Sequence, residues 1–330
     1  MLKQFFICVA GVLLTFATVA QQNETMEAGM GKVKVSFSVD QNGSPVYQVS
    51  FDNRAVILPS HLGFVLNTDS TFYKDFEMTG SEKNSFDETW QPVWGEVKDI
   101  RNHYEQLTVH LKQKNSGLLL NIIFRAFEDG IGFRYEFPKQ DGLKYFIVND
   151  ELTQFHMAGD HKAFWIPGDF DTNEYPYTEC KLSMIDNSVL VKNSTAIAVR
   201  VAPDRYAVQT PLMMKSDDGL YINIHEAALV NYSAMQLHVD KATNTLTSSL
   251  VPDAVGNKAY LHAPCSTPWR TIIVSNKATD ILASKLILNL NEPSKLTNTT
   301  WIKPMKFVGV WWEMQTGKST WNYSDFADSA

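Results

Sequence analysis

The stretch "LLLNIIFRAFEDGIGFRYEFP", residues 118–138, decides the fold. Two apolar, β-branched and aromatic runs flank Asp129-Gly130, a dipeptide that favours a tight hairpin turn. Neither run keeps a helical spacing of apolar residues, so both read as strands. The same device recurs in "LMMKSDDGLYINIHEA", residues 212–227, around Asp218-Gly219.

Outward from these hairpins the pattern holds. In "KVKVSFSV", residues 32–39, Val33, Val35, Phe37 and Val39 alternate with Lys34, Ser36 and Ser38, which is the signature of a half-buried strand. "VYQVSF" follows after the turn chemistry of "DQNGSP", and "WRTIIVS", residues 269–275, is a further strand. Helical periodicity is scarce; the best candidate is "ATDILASKLILNL" from Ala278. Many short strands with turn residues between them predict a mainly β chain, a sandwich of antiparallel sheets.

The ends differ from this body. "MLKQFFICVAGVLLTFATVA", residues 1–20, combines an early Lys3, an apolar run and a small-residue terminus, as an export signal does. Cleavage after Ala20 and a periplasmic location are expected, without a membrane span. "NLNEPSKLTNTTWIKP", residues 289–304, reads as a linker. Beyond it "KFVGVWW", residues 306–312, is a continuous apolar run, the pattern of a strand buried on both faces. A lone strand of that kind needs neighbours, so the chain is expected to stop just inside a second domain.

Composition narrows the function. A hydrophobic content of 44% supports a real core, and a formal charge of −7 argues against general nucleic-acid binding. Of the cysteines, Cys180 and Cys265 remain after cleavage; they could pair or stay as free thiols. His225-Glu226 offers an acid/base pair, although such a pair more often ends a strand with a satisfied side chain. Trp90 and Trp94 suit an interface between sheets or domains. "GDFDTNEYPY", residues 168–177, packs Asp169, Asp171 and Glu174 among aromatics. Clustered carboxylates suit a hard cation and bracketing aromatics suit a sugar, yet such a loop is usually a solvated turn.

Six segments in sequence order carry a resemblance: "FDETWQPVWGEVKDIRNHY", "FRAFEDGIGFRYEFP", "AFWIPGDFDTNEYPY", "LMMKSDDGLYINIHEAALVNY", "TPWRTIIVS" and "KPMKFVGVWWEMQTGKSTW". Together they resemble glycoside hydrolase family 97, and within it the α-glucosidases of bacterial starch-utilisation systems. The resemblance implies an N-terminal β-super-sandwich followed by a (β/α)8 catalytic barrel. Residues 21–300 are then the sandwich, and 301–330 the start of a truncated barrel whose first strand is "KFVGVWW". It implies that Glu174, in "DTNEY", is one ligand of a calcium ion. Trp311 and Trp312 fall at the end of the first barrel strand, where barrel active sites are built, so the expectation is that one of them lines the substrate pocket or that both pack in the core. No catalytic residue is expected in this chain. The expected activity is calcium-dependent hydrolysis of α-glucosidic bonds in starch-derived oligosaccharides by a monomer or weak homo-oligomer. The alternatives are an α-galactosidase of the same family or a non-catalytic carbohydrate-binding module. "KNSTAIAVRVAP", residues 192–203, departs from the starch-system enzymes, so substrate contacts are not carried over to it.

Overall fold

The alternation at Val33, Val35 and Phe37 buries these side chains while Lys34 stays in solvent. In the computed structural model, which describes residues 25–194, 201–306, 311–318, 320 and 322, this strand belongs to an eight-stranded antiparallel sheet. Its order is Met26–Met30, Val33–Val39, Pro45–Phe51, Arg54–His61, Gln154–Met157, Thr245–Leu250, Met235–Asp240 and Ala207–Gln209. The expected signal segment 1–20 lies outside the described residues.

A larger sheet contains both hairpins. Its main path runs Thr178–Lys181, Lys162–Trp165, Leu212–Lys215, Tyr221–Ala227, Trp269–Ser275, Gly130–Phe137, Leu119–Phe127, Ile100–Gln113 and Phe76–Trp90. Aromatic side chains from the two sheets interlock: Tyr47 meets Phe133 at a centroid distance of 4.9 Å, and Phe37 meets Phe124 at 5.9 Å. These rings are buried, so the expected sandwich is present and its core is aromatic-rich. A three-stranded sheet of Ala259–Leu261, Phe146–Glu151 and Phe64–Leu66 packs beside them, with Phe64 4.5 Å from Tyr135.

The two hairpins use their glycines differently. Phe127 pairs with Gly130, so Glu128 and Asp129 form the turn and Gly130 begins the next strand. A Cβ on Gly130 would come within 2.3 Å of the Ile272 carbonyl oxygen; the glycine admits the neighbouring backbone. Gly219 instead takes φ +88°, where a glycine is favoured for its backbone freedom.

Among the described residues, those up to Glu88 with those of Arg101–Asn291 form one compact unit, and Thr89–Ile100 with those from Glu292 onward another. The predicted helical stretch from Ala278 forms the helices Ala278–Ala283 and Leu286–Asn289. Leu286 packs in a second apolar cluster with Trp269 and Phe127. In the second unit the Trp94 indole N–H donates to the Ile302 carbonyl at 2.9 Å.

The run "KFVGVWW" differs from its expected form. Residues 307–310 lie outside the described residues, and Trp311 and Trp312 open a short helix, Trp311–Gln315, instead of ending a strand. A helix bonds its own backbone, whereas a strand needs paired neighbours, and among the described residues no strand follows Ser275.

Candidate functional site

Strands Lys162–Trp165 and Thr178–Lys181 pair antiparallel, with Trp165 opposite Thr178. The chain between them, residues 166–177, is therefore a wide loop at the edge of the large sheet. Its base is tied down. The Gly168 N–H donates to the Ala207 carbonyl at 2.8 Å, and the Gln209 side-chain amide donates to the carbonyls of Pro167 and Thr172 at 3.0 and 2.7 Å.

The three acids of the loop have separate fates. Asp169 is buried, and its carboxylate accepts from the Asp171 N–H at 2.9 Å, the Tyr175 hydroxyl at 2.7 Å and the Val201 N–H at 3.1 Å. Its carbonyl accepts from the Gln236 side-chain amide. Asp169 is thus the internal tie of the loop: a buried carboxylate persists only when hydrogen-bonded, and here its bonds fold the chain around it. Asp171 and Glu174 are exposed. The Glu174 N–H donates to the Thr172 hydroxyl at 3.1 Å, which fixes the backbone where the carboxylate leaves the loop. Tyr175 is buried on the Asp169 side, while Tyr177 is exposed.

Calcium binding asks for six to eight oxygens, several of them carboxylate. Among the described residues no group of three or more His, Cys, Asp or Glu side chains could hold a metal ion. Glu174 offers a solvent-facing carboxylate on a braced loop. That fits one ligand of a shared site and does not fit a self-contained one.

Trp311 and Trp312 belong to the second unit and Glu174 to the first. The two indoles pack edge to face at 4.7 Å and stand 45% and 68% exposed, so packing in this chain leaves both rings open to solvent.

His225-Glu226 resolves as a structural pair. Glu226 lies opposite Arg270 across neighbouring strands and accepts from its Nη1 at 2.6 Å. The His225 ring nitrogen Nδ1 sits 3.1 Å from the Thr210 hydroxyl. Burial and the nearby Arg270 keep the imidazole below its usual pKa. Arg270 also holds Glu151, whose carboxylate accepts from the Tyr232 and Thr153 hydroxyls, each at 2.8 Å. Burial pushes Glu151 up, but Arg270 and these hydroxyls outweigh it and hold the group below the usual range. Sequence reading missed this network. Its one signal was a charge inside each of two apolar strands, Glu226 in "YINIHEA" and Arg270 in "WRTIIVS". These carboxylates sit in the core and cannot meet a sugar.

The family profile described as Glycosyl-hydrolase 97 N-terminal matches residues 28–293. This chain belongs to glycoside hydrolase family 97. Solved structures of a family 97 enzyme from Pseudoalteromonas sp. strain K8, one with acarbose and a variant with panose, superpose at a TM-score of 0.77. They share 34% identity with this chain and cover 90% of it and 42% of that enzyme. A retaining alpha-galactosidase of Bacteroides thetaiotaomicron is 24% identical, covering 100% of this chain and 51% of its own length. A probable retaining alpha-galactosidase of Streptomyces bingchenggensis is 24% identical over 82% of this chain and 38% of its own. The family 97 chain described here thus spans about half, or less, of the curated relatives it matches. The region matched is the sandwich, which carries Glu174 and its loop.

Proposed function

We propose that this chain is the N-terminal part of an exported, calcium-dependent glycoside hydrolase that cleaves α-glucosidic bonds of starch-derived oligosaccharides. The observation that carries the substrate class is the 34% identity, over 90% of the chain, to an enzyme crystallised with acarbose and panose. Both ligands are built of α-linked, glucose-like rings. The named α-galactosidases reach 24%.

In this reading the sandwich braces the catalytic part and supplies one cation ligand. Asp169, Tyr175 and Gln209 hold the loop, and Glu174 projects its carboxylate from it. Calcium, when bound, would orient the reacting groups and favour their ionised forms. Hydrolysis needs two carboxyl groups flanking the glycosidic bond. Glu151 and Glu226, which share Arg270, are both buried and do not supply that pair. In this reading the pair belongs to the part of the enzyme that the chain does not span, since it covers 42% of the similar enzyme, and the 330 residues alone are expected to give no turnover. Trp311 and Trp312 are proposed to line the substrate pocket of the whole protein, because exposed indoles give flat faces to a pyranose.

The test is an assay of the full-length gene product with nitrophenyl α-glucoside and α-galactoside, before and after chelation. Faster glucoside cleavage, lost with chelator and restored by calcium, is the expected result. Faster galactoside cleavage favours the second reading, which the names of the curated relatives support. No cleavage of either substrate by the full-length protein favours a non-catalytic carbohydrate-binding module.

A further inference from the structure

A second surface of the sandwich, bordered by Phe170 and by the ring of Tyr232, has the chemistry of a sugar-binding site. The strands Phe146–Glu151 and Ala259–Leu261 pair with Ile147 opposite Tyr260 and Phe146 opposite Leu261. Phe146, Val148, Ala259 and Leu261 face the core, so Tyr145, Tyr260 and His262 face out. Tyr145 and Tyr260 are 50% and 47% exposed, and the Tyr145 ring lies 5.0 Å from that of His262.

Tyr260 also borders a cleft of about 520 Å³, lined by Phe170, Tyr232, Asp253, Asn257 and Lys258 among others. The Tyr260 ring is fixed. Its hydroxyl donates to the Asp253 carboxylate at 2.5 Å and accepts from the Asn257 side-chain amide at 2.9 Å. The Asp253 carboxylate accepts from the N–H groups of Val255 and Asn257, each at 2.9 Å, which shapes the loop. Tyr232, which also lines the cleft, is anchored by its hydroxyl to buried Glu151 at 2.8 Å. The aromatic walls are thus pre-set, and a ligand meets them without paying to order them.

The lining selects a ligand class. An anion would meet Asp253 with no arginine to balance it, and Lys258 is the single cation among the described residues lining the cleft. A purely apolar ligand would take water from the Lys258 ammonium and from the outer lone pairs of the Asp253 carboxylate without replacing it. A neutral polyhydroxylated ring satisfies both demands: its C–H face stacks on the tyrosines and its hydroxyls bond the polar fringe. We propose that this cleft, with the Tyr145–Tyr260 face beside it, is an accessory oligosaccharide-binding site separate from hydrolysis. The choice of glucan as ligand rests on the function proposed above; the existence of the site does not.

The test is native electrophoresis of the full-length protein in gels holding soluble starch or galactomannan, with Tyr260→Ala, Tyr145→Ala and Asp253→Asn variants. Starch is expected to retard the wild type. Each variant should show about tenfold weaker apparent affinity, with an unchanged melting temperature. Cleavage of whichever nitrophenyl glycoside the protein accepts should stay at the wild-type rate. Retardation by galactomannan in place of starch would keep the site and overturn the glucan assignment. Three results would overturn the site itself: no retardation of wild type in either gel, equal retardation of all variants, or a fall in glycoside turnover in parallel with binding. If Tyr260→Ala does not fold, Tyr145→Ala decides, since that ring lies outside the Asp253 network.

Discussion

Arg270 and Glu151 meet through two parallel hydrogen bonds, Nε to Oε1 at 2.8 Å and Nη2 to Oε2 at 2.7 Å, and neither side chain reaches solvent. Arg270 comes from the large sheet and Glu151 from the small one, so the pair ties two sheets together. Bidentate geometry and the added hydroxyls are what a buried ion pair needs to offset its desolvation. Arg270→Met strands Glu151 and Glu226 in the core. The expected cost is about 3–5 kcal/mol in urea unfolding. A loss under about 1 kcal/mol would show that the pair contributes little to stability.

Glu226 sets a pH dependence of its own. Burial raises its pKa above the ordinary glutamate value of 4.5, because Arg270, already matched by Glu151, only partly offsets the cost of a second buried charge. A raised carboxyl pKa means that the folded state holds the proton more tightly. Stability from this group is therefore present at low pH and is lost as pH rises through the folded value. Glu151 works in the opposite sense: its folded pKa is lowered, so its contribution is present above the unfolded value and is lost on acidification. As pH rises above the ordinary glutamate value of 4.5, Glu226→Gln should show a flatter fall of melting temperature than the wild type. Equal slopes would remove Glu226 as the source.

The acids of the 168–177 loop should separate cleanly. Asp169→Ala leaves several donors without an acceptor and should cost about 1–3 kcal/mol while opening the loop to limited proteolysis. Glu174→Gln, at an exposed position, should change stability by less than about 0.5 kcal/mol. In calorimetry on the full-length protein, Glu174→Gln is expected to weaken calcium binding. Unchanged calcium affinity would remove Glu174 as a ligand.

Cys180 and Cys265 are free thiols. The Cys180 sulfur accepts from the Trp165 indole N–H at 3.2 Å, and burial together with nearby Glu136 pushes the Cys265 thiol up to about 11. A reducing agent should leave the melting temperature unchanged. Cys265 should alkylate slowly at neutral pH, because its thiolate is scarce. A drop in melting temperature on reduction would instead indicate a disulfide.

Much of the fold was legible before any coordinates. Period-two alternation in residues 33–39 and the punctuated hairpins at 118–138 and 212–227 encode sheets locally, because a strand's faces are set by the side chains it carries. The role of Gly130 was not legible. Turn chemistry suggested a backbone conformation, and the decisive contact is with Ile272, 142 positions away in sequence (272 − 130). The helical start at Trp311 was hidden for a similar reason, since a continuous apolar run suits either state and its surroundings decide.

The sequence by itself determined the β architecture, the family and which loop holds the clustered acids, since these depend on local pattern and ordered motifs. Only the tertiary structure decided that Asp169 is an internal tie and Glu174 a free carboxylate, and that Glu226 belongs to Arg270 and not to catalysis. Burial and partner geometry separate residues of identical chemistry, and both are properties of chain segments brought together from far apart in the sequence.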